Sequence, residues 1–115
     1  MRIWLAAWEW ACCGEPFQVG SEVRFSLAYG IDEWLADALG PDLAQTVDAR
    51  EMHHEDEPLP QRFGTVTAIA AVRLRREGGF PVPGSGQIFP ADAVPWSVPE
   101  QRPPSGFLVD IDLRR

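Results

Sequence analysis

The chain has 115 residues, 45% of them hydrophobic and 23% charged, which is enough apolar material for one packed core and too little chain for two. Seventeen acidic against ten basic residues set a net charge of −7. The average field therefore repels phosphate backbones and anionic headgroups, which argues against nucleic-acid and membrane partners.

All ten basic residues are Arg, and neither Lys nor Asn occurs. Both missing residues have AT-rich codons, so the bias points to a GC-rich bacterial genome. Met1-Arg2-Ile3-Trp4-Leu5-Ala6-Ala7-Trp8 opens like a signal peptide, but Glu9 interrupts the apolar run and no small-residue cleavage site follows. Glu9-Trp10-Ala11 is the wrong set of residues for a lipid anchor on Cys12. No stretch approaches the roughly 18 apolar residues of a membrane span. A cytoplasmic protein with reduced Cys12 and Cys13 is expected.

In residues 2–10, Ile3, Leu5 and Ala7 alternate with Trp4, Ala6, Trp8 and Trp10, so both faces are apolar, as in a strand buried on two sides. Trp4 and Trp8 are also four apart, which suits a helix, but the aromatic content favours the strand. Residues 11–20 carry two glycines and a proline and read as a loop. Val23, Phe25 and Leu27 then alternate with polar neighbours as a half-buried strand over 22–28.

A helix is expected from Ile31, with Ile31, Trp34, Leu35, Ala38 and Leu39 forming one apolar stripe, Asp32 and Glu33 in its first turn and Gly40-Pro41 ending it. Such a helix would plug a barrel end or cover a sheet. Val47, Ala49 and Met52 allow a further strand. The longest strand, Phe63 to Arg76, sets Val66, Ala68, Ala70, Val72 and Leu74 on one face. At about 14 residues it exceeds the usual ~5–6, so a bend or bulge that lets it serve two sheets is expected.

Nine of the eleven prolines lie after residue 57. Residues 78–86 form a Gly- and Pro-rich loop, residues 97–105 a second Pro-rich link, and Phe107, Val109, Ile111 and Leu113 mark a closing strand. One domain over residues 1–115 is expected: mainly β, a small, strongly bent, mostly antiparallel SH3-like barrel with one inserted helix.

The run Cys12-Cys13-Gly14-Glu15-Pro16-Phe17-Gln18-Val19-Gly20, followed by a helix, a His-containing segment and the strand entered through Gly64-Thr65-Val66, resembles a group of small actinobacterial proteins classed as a domain of unknown function. The resemblance implies a shared fold and origin, and no activity.

Cys12, Cys13, His53 and His54 are by type a complete tetrahedral zinc shell. Their spacing opposes it, because adjacent residues of an extended chain point to opposite faces; Gly14 and Pro16 could redirect the cysteines. The plainer reading has one Cys as a small buried hydrophobe, the other in the loop, and the histidines at a strand end. A thiol nucleophile activated by His53 or His54, with Glu51 or Asp56 orienting the imidazole, lacks a helix N-terminus to lower the thiol pKa.

Glu51, Glu55, Asp56 and Glu57 read as a solvated acidic loop rather than a cation site. Of the five tryptophans, those of residues 2–10 and Trp34 read as core, whereas Trp96 is the freest to reach a surface. Gly84-Ser85-Gly86 lacks the following helix and the lysine of a nucleotide loop.

The leading expectation is therefore a non-catalytic binding module for a protein or small ligand, with Trp10, Phe17 and Trp96 as candidate contacts and no cofactor, as a monomer or edge-paired homodimer. A metal-binding or thiol-dependent protein using Cys12, Cys13, His53 and His54, with zinc as the candidate metal, is the second expectation, and a nucleic-acid-associated barrel the third.

Overall fold

Alternating apolar residues in short, turn-bounded runs produce strands, and in the computed structural model five of them close on themselves. The structure describes residues 1–6, 16–52, 60–78, 80–91, 93–94 and 105–114. In chain order these form β1 (Arg2–Ala6), β2 (Phe17–Gln18), β3 (Glu22–Tyr29), α1 (Glu33–Leu39), α2 (Pro41–Ala44), β4 (Ala49–Glu51) and β5 (Gln61–Arg73). They continue with β6 (Arg76–Glu77), β7 (Phe80–Pro81), β8 (Gln87–Ala91), β9 (Ala93–Val94) and β10 (Gly106–Leu113).

The main sheet runs β10-β1-β4-β3-β5, and β5 returns to pair with β10, which closes a five-stranded barrel. Neighbours around the ring are antiparallel except β1 and β4, which run parallel with Ile3 beside Ala49 and Trp4 beside Arg50. Closure gives every ring strand a neighbour on both sides. The sixth strand, β8, adds outside the ring along Ile69–Arg73 of β5.

β5 carries the bulge that its length implied, but it serves one sheet and not two, pairing with β10 along one edge and with β3 and then β8 along the other. Ala68 pairs with Asp110 but Val66 pairs with Ile111, leaving Thr67 as the extra residue, and the Thr67 hydroxyl donates to the Asp110 carbonyl at 3.2 Å. A bulge reverses the inward phase of a strand. The single apolar face expected for Val66, Ala68, Ala70, Val72 and Leu74 is therefore divided. Val66 and Ile69 are buried in the barrel interior, Ala68 is exposed, and Val72 joins Ala70 and Leu74 in a second core outside the barrel.

That second core explains the two apolar faces of β1. Ile3 and Leu5 enter the barrel interior with Phe25, Leu27, Phe107 and Val109. Trp4 points the other way and packs with Leu35, Leu39, Val47, Val72 and Leu108. The helices thus cover the outside of the barrel wall.

α1 starts two residues later than the periodicity of Ile31 suggests, after Asp32 in an extended conformation, and buries Leu35, Ala38 and Leu39. Trp34 was expected on the same stripe but is 50% exposed; seven residues present only a narrow face to the barrel, and Trp34 lies beside it. At Gly40 the backbone takes φ 87°, the left-handed region suited to glycine, and Pro41 opens α2. The Gly- and Pro-rich stretch forms the β6–β7 hairpin. Its return then docks on the end of α1, with Gly84 N–H donating to the Asp37 carbonyl at 2.8 Å and Gly86 N–H to that of Ala38 at 3.3 Å, occupying carbonyls a helix end would otherwise leave open.

Close approach fixes Gly64, where a Cβ would lie 2.8 Å from the Asp112 carbonyl oxygen, and Gly106. A Cβ on Gly106 would lie 2.5 Å from Cη2 of Trp4 and 2.7 Å from the Leu5 carbonyl oxygen. Gly106→Ala is expected to cost about 1–3 kcal/mol through forced displacement of the indole, read as a lowered urea midpoint; an unchanged midpoint would show that Trp4 does not lie over Gly106.

Candidate functional site

The parallel β1–β4 contact determines where the chemistry-bearing segments attach. Because these neighbours run the same way, Ala6 at the end of β1 and Glu51 at the end of β4 lie at one end of the barrel. β10 runs opposite to β1 and begins at that same end, with Gly106 opposite Ala6. Ser105 N–H donates to the Val72 carbonyl at 2.8 Å just before it. Beyond Glu51, Met52 N–H donates to the Ser26 carbonyl at 3.0 Å, and Leu27 N–H to that of Pro60 at 3.1 Å, so the chain departs and returns on either edge of β3.

Trp10, Cys12, Cys13, His53, His54 and Trp96 lie outside the described residues. Their attachment points do not. Residues 7–15 follow β1, residues 53–59 follow Met52, and residues 95–104 lead to Ser105, so all three segments are tethered to this rim. A fourth link comes from β2 pairing with β9, which sets Phe17 opposite Val94, two positions before Trp96 in sequence.

Phe17 is half-buried and meets Phe25 edge-on, with ring centroids 5.7 Å apart and planes at 67°, a favoured aromatic geometry. Its ring joins the margin of the interior core, so a ligand reaching it would meet an aromatic surface already braced from behind.

Glu51 departs from expectation. Counted with a solvated acidic run in the sequence, it is only 4% exposed. It lies two residues from fully buried Ala49 and opposite Leu27, and so faces the barrel interior. The Ala49-Arg50-Glu51 alternation carried that information, but a carboxylate beside other acids masked it.

Two ion pairs hold the opposite side. Arg50 pairs with Asp32 at the start of α1, tying the helix to β4. Arg2 grips Asp110 across β1 and β10 through Nε at 2.8 Å and a second nitrogen at 3.3 Å, and it donates to the Thr46 hydroxyl at 2.9 Å. The hydrogen bond to Asp110 raises the Arg2 pKa above its ordinary value, partly offset by burial and helped by the charges of Asp110 and Asp48. Arg2 is therefore charged throughout the working pH range.

Among the described residues, no three His, Cys, Asp or Glu side chains gather as a metal site would require, and no helix is long and apolar enough to cross a membrane.

A family of unknown function, DUF6578, matches residues 1–113. The chain belongs to this family. No curated protein and no solved structure matches it. The DUF6578 match spans the sequence of the barrel strands, the helices and the segments between them. DUF6578 is a family of unknown function, so membership assigns no activity.

The two tryptophans placed by the structure should respond differently to truncation. Trp4→Ala is expected to destabilise by about 3–5 kcal/mol and Trp34→Ala by less than about 0.5 kcal/mol, measured by denaturant unfolding followed by circular dichroism. Equal losses would contradict the exposed placement of Trp34. Arg2→Ala removes a paired guanidinium whose side chain and whose Asp110 partner are each about a third exposed. Its expected cost, discounted for solvent screening, is about 1 kcal/mol. It should appear as a lower denaturation midpoint at unchanged slope, and no shift would count against the pair.

Proposed function

We propose that this protein is a small non-catalytic binding module that takes a protein or small-molecule partner at the barrel end where β1 and β4 stop and β10 begins. The observation carrying this reading is the attachment of three candidate-bearing segments to one rigid rim. Binding groups are disproportionately found on connections held by a rigid scaffold, and the mouth of a small barrel is a common ligand position. In this reading Trp10 and Trp96 supply aromatic contacts, and Phe17, braced by Phe25, supplies the floor. The net charge of −7 favours a neutral or cationic partner over a nucleic acid. We place the protein in the cytoplasm, where Cys12 and Cys13 stay reduced.

A second reading rests on the same parallel contact. β1 leads to Cys12 and Cys13, and β4 leads to His53 and His54. Neighbouring parallel strands start both segments from one end of the barrel, which favours a shared zinc ion, whereas the adjacent spacing opposes it.

Native mass spectrometry of untagged protein, purified without added metal, separates the readings. The binding-module reading predicts a retained or titratable partner whose occupancy falls at least tenfold in Trp10→Ala or Trp96→Ala, while Trp34→Ala has no effect. Loss of occupancy in Trp34→Ala alone would move the site to the helix face. A stoichiometric zinc-sized increment abolished by Cys13→Ser or His53→Ala would establish the metal reading, and a metal-free mass on zinc addition would dismiss it.

A further inference from the structure

No further inference is drawn: the strongest candidate, the outer strand Gln87–Ala91 with Ile88 and Phe89 exposed beside the β6–β7 hairpin, is an apolar surface for which nothing in the structure shows what covers it.

Discussion

Strand β1 is held on all four sides, and the remaining architecture follows from that constraint. Its edges pair with β10 and β4, and its faces enter two different cores. A five-residue segment that alternates Ile3, Trp4 and Leu5 has no polar face to give to water, so it is stable only with apolar material on both sides. The barrel supplies one side and the α1–α2 layer the other. Without the helices, Trp4, Val72 and Leu108 would stand on the outside of a five-stranded ring. Without closure, Ile3 and Leu5 would line an open sheet.

The electrostatics reinforce this arrangement at its far end. The backbones of Met1 and Ile111 exchange hydrogen bonds at 3.0 and 2.9 Å, and Arg2 holds Asp110 while the Asp48 carboxylate accepts from the Arg2 N–H at 2.9 Å. The start of β1 is therefore tied both to β10 and to the segment entering β4. Buried aliphatic packing provides the larger stabilisation; the charged contacts, being partly exposed, mainly set register. One end of the barrel is thus closed by short, direct bonds, and Ala6, Met52 and Ser105, from which the three long connections depart or to which they return, lie toward the other.

Much of the barrel was legible in the sequence because its strands are half-buried and alternate cleanly. Val23-Arg24-Phe25-Ser26-Leu27 and Phe107 to Leu113 announce their inward faces, and the excessive length of β5 announces its bulge. Legibility ended where a tertiary contact overrode local periodicity. The bulge at Thr67 redistributes the apolar residues of β5 between two cores, and no local pattern marks which residue is skipped. Trp34 keeps helical spacing with Ala38, yet the barrel wall meets α1 along Leu35, Ala38 and Leu39. β4 has three residues, too few for periodicity to show, and its parallel pairing with β1 is a long-range choice. Since that pairing sets the rim, the arrangement of the candidate site could not be read before the fold was known.

The whole arrangement depends on β1 and β4 lying side by side in parallel within a closed ring. Nuclear Overhauser contacts in isotope-labelled protein test it most directly. The closed ring predicts backbone contacts linking Ile3 and Trp4 with Ala49 and Arg50, together with contacts linking Gly64–Val72 with Gly106–Leu113. Finding the second set without the first would leave an open sheet, separate the attachment points of the Cys- and His-bearing segments, and contradict the closed ring.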